Sequence, residues 1–430
     1  MSSRTCIVTI DALSHGPAGV GRVDGKVIFV PGTVPGDVVE VVIDEEKKRY
    51  ATGHVVQLLQ PSAQRRTPPC PYVARCGGCP WQHVSYAEQL RAKEMTVQEQ
   101  LRRIGGIAEP PILPIIPAPQ EWHYRHRIRL HGQDGRFGFS PPHSHEVVEI
   151  ESCLIAREDV AAQLDTARTW GATLRTAVRQ IEILGGEPSA SISSIVLVGT
   201  ADGSFQPQDA ETCTIFLAAH PQIAGLVLVG DRWRRSWGNM AVSFVPEADS
   251  GTLQVNHGTF TQVNPAGNRA LITSVLTLGA FHNQQKVIEL YCGAGNLSLP
   301  IARRVHSLIG IEHDREAVAD AHANAARMGQ TNTRFITASV YAGIQQLLRE
   351  GVQGDVIVLD PPRAGVAEVI DAVPRFGARA VIYVSCDPAT LARDLRRLHT
   401  HGYRLHAVQP VDLFPQTYHV ETVALSLLTC

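Results

Sequence analysis

The sequence lacks the apolar run of roughly 20 residues that a chain needs to cross a bilayer. Its N-terminus also lacks the basic segment followed by an apolar stretch that marks an exported protein. These two absences predict a cytosolic protein with no membrane partner.

A large excess of charge of either sign is absent too. The net charge of −2 provides no general attraction to nucleic acid, so any RNA would have to be held by a local basic patch. The nine cysteines are an odd number in a chain without an export signal, which argues against a disulfide framework. We therefore expect reduced thiols that are used for ligation or catalysis.

The length and composition of the chain are sufficient for several folded domains. The chain has 430 residues, of which 44% are hydrophobic and 19% charged, as is usual for a globular protein. Within residues 1–60, glycine and proline separate short runs rich in β-branched residues, which predicts a small OB-like β-barrel. These runs are Cys6–Ile10, Lys26–Val30, Asp37–Ile43 and Ala51–Leu58. The segments Phe29–Gly32 and Pro35–Asp37, with the basic Lys47–Tyr50, resemble the TRAM domain of RNA-modifying enzymes.

Three cysteines lie close together in a loop rich in glycine and proline. Cys70, Cys76 and Cys79 have the spacing CxxxxxCxxC, and Cys153 follows a later β-like segment. Short spacing lets one stretch of backbone supply several thiolates to one centre, with Cys153 as the fourth ligand. The residues alone leave zinc and a [4Fe–4S] cluster equally open.

The next segments predict an α-helix and then a strand. Residues 85–104 have the apolar spacing of an amphipathic helix, which ends at a pair of glycines. In a strand over residues 122–131, Arg125, Arg127 and Arg129 would share one face. That face is either a cationic stripe for phosphates or an ordinary exposed polar surface.

From about residue 265, strand and helix patterns alternate, which predicts a doubly wound parallel sheet. The strand at 286–291 runs into a turn at Gly293, and the next strand ends at Glu312, 19 residues later. A glycine turn beside a helix N-terminus and a carboxylate for ribose together indicate a nucleoside cofactor. Since the full GxGxxG pattern is missing, a ligand with one adenosine, such as S-adenosylmethionine, fits better than a dinucleotide.

A cysteine stands where a buried strand gives way to a helix. The apolar run from Ala380 ends at Cys386, Asp387 is a good N-cap and Pro388 fits the first helical position. A helix N-terminus favours thiolate over thiol, although Asp387 opposes this effect. Cys386 is therefore a candidate nucleophile, and a structural cysteine is the alternative.

These motifs together resemble the RNA uracil-C5-methyltransferases, the family that makes 5-methyluridine. The resemblance covers nearly the whole chain and is carried by SCDPATLARD, DPPR, HVETV, FTQVN, LYCGAGNLSLPIA and the four cysteines. It implies an N-terminal TRAM domain at residues 1–60 and a central mixed α/β domain at 61–264. It also implies a Rossmann-like class I methyltransferase domain at 265–430. In the central domain it favours a [4Fe–4S] cluster on Cys70, Cys76, Cys79 and Cys153.

The resemblance also assigns roles at the expected site. It makes Cys386 the nucleophile that adds to C6 of uracil and Glu421 the acceptor of the C5 proton. It implies S-adenosylmethionine as the cofactor, with cofactor-binding positions at Gln262, Tyr291, Asn296, Glu312 and Asp360, beside the turn glycine Gly293. The chain departs from the family pattern at Thr261, Ser339 and Asp387.

A TRAM domain together with a cluster resembles the 23S ribosomal RNA branch of the family more than the transfer RNA branch. We therefore expect a monomeric enzyme that methylates ribosomal RNA. The alternatives are a transfer RNA enzyme and a non-catalytic RNA-binding protein with a relic methyltransferase fold.

Overall fold

The computed structural model describes residues 4–141, 144, 146–187, 195–248, 250–366 and 369–429. No helix in these ranges is both long enough and apolar enough to cross a bilayer.

The described residues before position 61 form a closed barrel of five strands. These are β1 (Thr5–Leu13), β2 (Ala18–Val23), β3 (Lys26–Pro31), β4 (Val38–Glu46) and β5 (Tyr50–Gln60). The sequence pattern marked every strand except β2, whose glycines read as turn residues. Gly19 and Gly21 are instead needed for close approach, because a Cβ would lie 2.1 Å from Thr33 Oγ1 and 2.3 Å from Thr9 O respectively.

Helix α1 (Tyr86–Arg103) confirms the helix predicted for residues 85–104. Ser85 caps it by accepting a hydrogen bond from the backbone N–H of Glu88. Its buried residues Val97 and Leu101 belong to the same hydrophobic core as the C-terminal sheet. The helix therefore packs against the C-terminal domain, although it precedes the central sheet in the chain.

The described part of residues 127–256 forms a six-stranded sheet and a separate two-stranded one. Its elements are β6 (Arg127–Gln133), β7 (Arg136–Gly138), α2 (Glu158–Ala161), α3 (Leu164–Thr173), β8 (Ala177–Gly185), β9 (Ile195–Asp202), α4 (Asp209–Ala219), β10 (Ile223–Gly230), β11 (Trp233–Gly238), β12 (Ala241–Phe244) and β13 (Leu253–Asn256). The larger sheet has the order β11-β10-β9-β8-β6-β7, and β12 pairs with β13.

The expected row of three arginines on β6 is corrected by the structure. The strand begins at Arg127, so Arg125 lies outside it. Arg127 and Arg129 both form ion pairs with Glu182 of β8, at 2.8 and 3.2 Å. Arg127 and Arg129 therefore share a face as predicted, but the carboxylate of Glu182 between them offsets part of their charge, and the row is two residues long.

The described part of residues 265–429 forms a seven-stranded sheet flanked by helices. Its elements are α5 (Pro265–Gly279), β14 (Lys286–Leu290), α6 (Ser298–Ala302), β15 (Ser307–Glu312), α7 (Arg315–Arg327), β16 (Thr333–Thr337), α8 (Val340–Arg349), β17 (Val356–Leu359), a 3₁₀ helix (Ile370–Phe376), β18 (Ala380–Ser385), α9 (Pro388–Thr400), β19 (Tyr403–Val411) and β20 (Glu421–Leu428). The order is β16-β15-β14-β17-β18-β20-β19, with β20 antiparallel to both of its neighbours. This arrangement confirms the predicted doubly wound sheet.

A small buried cluster joins the parts of the molecule. It combines Leu13 and Val34 of the barrel with Trp81 of the cysteine-bearing segment, and Tyr418 packs against it. The Trp81 indole N–H donates to Gly16 O of the barrel at 3.1 Å, and its backbone N–H donates to Gln416 O at 3.0 Å. These contacts hold the β1–β2 loop beside the carboxyl edge of the C-terminal sheet.

Candidate active site

A cleft of about 650 Å³ opens at the carboxyl ends of β14 and β17. This edge is where open α/β sheets bind ligands. Five of the six predicted cofactor residues line the cleft, namely Gln262, Tyr291, Gly293, Asn296 and Asp360.

The sixth residue, Glu312, is tied to the same turn. It ends β15 as predicted, and its carboxylate accepts a hydrogen bond from the backbone N–H of Gly293 at 3.2 Å. The N–H groups of His313 and Asp314 also donate to this carboxylate, at 2.7 and 3.0 Å. Gly293 has a φ of +53°, a conformation that a residue without Cβ adopts most easily. Turn and carboxylate are thus fixed together before any ligand arrives.

The side chain of Asn296 and the backbone of Gln262 are held by partners that the sequence did not reveal. Asn296 and Asn268 of α5 exchange two side-chain hydrogen bonds, at 2.7 and 3.0 Å. Gln262 O accepts from the ring nitrogen Nε2 of buried His126 at 2.9 Å. The Thr261 hydroxyl is buried and has no hydrogen-bond partner within the described ranges.

Asp360 lies at the end of β17 in the wall of the cleft. Burial raises the pKa of its carboxyl group to about 7, because the charged form loses its hydration. A positively charged ligand in the cleft would reverse this effect and stabilise the carboxylate.

Cys386 lies where the sequence placed it, between β18 and α9. Asp387 caps α9 by accepting hydrogen bonds from the N–H groups of Ala389 and Thr390, both at 2.9 Å. The helix N-terminus is not what decides the pKa of this thiol. Burial and the neighbouring charge of Glu421 raise the pKa of the Cys386 thiol to about 11. The first N–H groups of the helix bind Asp387 and not the thiol.

Glu421 begins β20 and faces the same cluster. It is 3% exposed, and burial, with the charge of Asp360 beside it, raises the pKa of its carboxyl group well above the usual range. Arg363 opposes this shift and also hydrogen-bonds the Cys386 thiol, so it is the cation shared by both groups. The sequence reasoning gave Arg363 no catalytic role, although its position directly after Asp360-Pro361-Pro362 was the available signal.

The four predicted metal ligands line one separate cavity of about 320 Å³. These are Cys70, Cys76, Cys79 and Cys153, and apolar side chains such as Val73 and Ile155 surround them. Burial raises the pKa of Cys79 to about 12 and also raises the pKa values of Cys76 and Cys153. Among the described residues, no three His, Cys, Asp or Glu side chains form a group that could hold a single metal ion.

Comparison with known families gives two matches along the chain. The family model for tRNA (uracil-5-)-methyltransferase matches residues 248–428. The model for the TRAM domain matches residues 2–56.

Relatives match over almost the full length. An uncharacterized RNA methyltransferase of Gloeobacter violaceus is 36% identical, over 99% of this chain and 96% of its own. The 23S rRNA (uracil(1939)-C(5))-methyltransferase RlmD of Thiobacillus denitrificans is 36% identical, over 97% of this chain and 99% of its own. RlmD of Aeromonas salmonicida is 34% identical, over 97% and 95%.

A solved structure shares the fold. The tRNA (uracil-54, C5)-methyltransferase of Pyrococcus abyssi, in complex with S-adenosyl-L-homocysteine, superposes with a TM-score of 0.74. It is 22% identical and covers 98% of this chain and 100% of its own. This likeness confirms the class I methyltransferase architecture of the C-terminal domain.

Proposed function

The chain belongs to the family of RNA uracil-C5-methyltransferases, and from this premise we propose that it methylates C5 of a uridine in 23S ribosomal RNA, with S-adenosylmethionine as the methyl donor. The observation that carries the proposal is the convergence of Cys386, Glu421, Asp360 and Arg363 beside a cleft suited to a nucleoside. The choice of ribosomal RNA rests on the named activity of the RlmD relatives. We also propose that it acts in the cytosol, where a ribosomal substrate is found, and as a monomer.

S-adenosylmethionine, when bound, supplies an electrophilic methyl group on a positively charged sulfur. Glu312 lies next to the turn at Gly293, and in this position its carboxylate would accept hydrogen bonds from the ribose hydroxyls of the cofactor. Gln262, Tyr291, Asn296 and Asp360 line the rest of the cleft. The buried Asp360 suits a cationic ligand, because burial leaves its carboxylate without a compensating charge.

Cys386 supplies the nucleophile. C5 of uracil is too electron-poor to accept a methyl group directly, and a thiolate that bonds to C6 gives C5 the character of an enolate. Arg363 hydrogen-bonds the thiol and favours its ionised form against the effect of burial. The adduct divides one difficult substitution into easier steps.

Glu421 supplies the base. After methylation C5 carries both the new methyl group and its original hydrogen. The Glu421 carboxylate takes that proton, the C5–C6 double bond forms again, and the bond from C6 to sulfur breaks to release Cys386 as thiolate. A buried carboxylate with a raised pKa is a stronger base than one in water, and Glu421 is buried.

The RNA has to present an unstacked base to this site. Extruding a base costs roughly a few kcal/mol, and less where the RNA is already looped. The barrel lies beside the site and is the part of the chain that matches the TRAM domain, so we assign it to RNA binding.

We further propose a [4Fe–4S] cluster on Cys70, Cys76, Cys79 and Cys153. Four thiols that line one cavity suit a ligand in which each iron takes one cysteine. A single zinc ion would require all four sulfurs to approach one point, whereas a cluster places them around a larger centre. The thiols need a metal to be held as thiolates, since burial raises the pKa values of Cys76, Cys79 and Cys153.

The test uses S-adenosylmethionine with a labelled methyl group. Unmodified ribosomal and transfer RNA pools are each incubated with wild-type protein, Cys386→Ala or Cys213→Ala, and digested to nucleosides. We expect label in 5-methyluridine from ribosomal RNA with wild type and Cys213→Ala. Cys386→Ala should lose at least about a thousandfold of this activity, as expected for removal of a nucleophile.

Three other results would lead to different conclusions about the substrate or the mechanism. Label from transfer RNA alone would identify the transfer RNA branch as correct. Equal label from Cys386→Ala would refute the covalent mechanism. An absence of label in both pools would favour a non-catalytic RNA-binding protein.

A further inference from the structure

The loop between β1 and β2 carries His15 from the barrel to the C-terminal domain. The backbone N–H and the hydroxyl of Ser14 both donate to Ala18 O, at 2.9 and 2.7 Å, which closes the loop. The carbonyl of Gly16 accepts from the buried Trp81 indole at 3.1 Å. The two residues that flank His15 are therefore fixed, and with them the backbone from which its ring projects.

The ring of His15 lies among residues that adjoin the catalytic pair. It packs edge-to-face on Tyr418, with centroids 5.9 Å apart and planes at 86°. Tyr418 is three residues before Glu421 in the chain. The charges that act on His15 are those of Asp387, next to the Cys386 thiol, and Arg363, which hydrogen-bonds that thiol. The side chain of His15, which belongs to the barrel, therefore lies close to the residues that surround Cys386 and Glu421.

The ring nitrogen Nε2 of His15 is the atom that suggests a further contact. His15 Nε2 is buried and has no hydrogen-bond partner in the part of the chain that the structure describes. A buried polar atom without a partner is unfavourable, because it has lost its hydrogen bond to water. Burial also lowers the pKa of the ring, so at neutral pH the ring is uncharged and acts through one N–H or one lone pair.

We propose that His15 is a substrate-binding residue that hydrogen-bonds the target nucleotide of the RNA when the nucleotide enters the site beside Cys386. The inference rests on the proposed function and adds a specific contact between the barrel and the reacting nucleotide. The barrel then does more than attract RNA to the surface, because one of its side chains contacts the reacting nucleotide near Cys386.

The test compares four variants in steady-state methylation of the RNA pool that wild type labels. His15→Ala and His15→Phe remove the ring nitrogen, and Phe keeps the packing on Tyr418. His15→Gln restores a side-chain N–H. His54→Ala is the matched control, since His54 is 61% exposed on the barrel and contacts Asp44 at 2.7 Å.

We expect His15→Ala and His15→Phe to raise the KM for RNA about tenfold, the value of one hydrogen bond, with kcat little changed. His15→Gln should recover most of the loss, and His54→Ala should match wild type. The KM for S-adenosylmethionine and the melting temperature should stay the same in all four variants.

RNA affinity, measured at one fixed salt concentration, tests the contact separately from catalysis. Weaker binding by His15→Phe with recovery in His15→Gln supports the contact even if wild type transfers no methyl group, in which case only the proposed function fails. Wild-type affinity and KM in both His15→Ala and His15→Phe would overturn the inference. So would equal losses in His15→Phe and His15→Gln, since these would show that only packing of the imidazole matters.

Discussion

At the scale of single residues, the charge state of Cys386 is decided by neighbours that are distant in the chain. The sequence placed Cys386 beside a helix N-terminus, and the structure confirms that position. The pKa of the thiol, in contrast, depends on burial and on Glu421 and Arg363, which other elements bring to it. Local motifs predict residue identity and element ends, whereas a pKa depends on tertiary packing.

This difference leads to a measurable prediction for the RNA-free protein. With a thiol pKa of about 11, Cys386 is a small fraction thiolate at neutral pH. The thiolate is the reactive form, so alkylation by iodoacetamide should speed up by about tenfold per pH unit from about pH 7 to pH 10. Mass spectrometry of the peptide that contains Cys386 measures the rate.

Arg363→Gln is the matched variant, because it removes the cation that lowers this pKa. We expect it to slow alkylation of Cys386 at every pH in that range, since less of the thiol is ionised. A wild-type rate that levels off above about pH 9 would contradict the prediction, because it would indicate a thiol pKa close to that of an unperturbed cysteine.

At the scale of elements, the apolar periodicity of α1 predicts where the helix lies in the chain but not which element it packs against. The apolar spacing predicted both ends of α1 closely. It could not show that Val97 and Leu101 pack in the core of the C-terminal sheet, since helical spacing identifies a buried face but not its partner.

The same helix contributes a fully buried ion pair. Lys93 Nζ donates to Asp412 Oδ1 at 2.6 Å and to Phe414 O at 3.0 Å, and the Tyr86 hydroxyl donates to Asp412 Oδ2 at 3.0 Å. Both charged side chains are 0% exposed. These bonds hold the start of the connection from β19 to β20, the segment that leads to Glu421.

We expect Lys93→Met to lower the free energy of unfolding by about 3–5 kcal/mol, because Asp412 would remain buried without its cation. Lys93→Met with Asp412→Asn should recover much of this loss, since the amide is neutral and its oxygen can still accept hydrogen bonds. Urea unfolding of the variants measures the difference.

The control for this pair is Arg334→Met. Arg334 pairs with Glu350 at 2.8 Å, but the two side chains are 48% and 36% exposed. An exposed pair contributes little to stability, because water screens its charges. Equal losses for Lys93→Met and Arg334→Met would show that the buried pair does not stabilise the fold as described.

At the scale of the whole molecule, the sequence predicted three parts but not how they interlock. The barrel and the C-terminal sheet follow from local patterns of glycine, β-branched residues and alternating elements, whereas only the family resemblance implied a central domain. The contacts between these three parts join residues that are far apart in the sequence. Residues Ile112 and Ile116 form bridges to Val408 and Val411 of β19, and Trp81 joins the barrel to the C-terminal domain. Packing of this kind leaves no periodic signal in the chain.

The cysteine cavity is a second tertiary link, since it brings Cys153 to the loop of Cys70, Cys76 and Cys79. We expect protein prepared without oxygen to be brown, with absorbance near about 400 nm and about four iron atoms per chain. Cys153→Ser should lose most of the iron and melt at a lower temperature, because a bound metal centre stabilises the folded state that holds it.

Cys213→Ser is the matched control for that loss. Cys213 is also buried, at 0% exposed, but it lies in the hydrophobic core of the central sheet and does not line the cavity. Its replacement should leave colour and iron content unchanged, whatever it costs in stability. A colourless wild-type protein with one zinc per chain would identify the site as a zinc centre. Equal iron loss in both variants would mean that general destabilisation, and not ligation by Cys153, explains the loss.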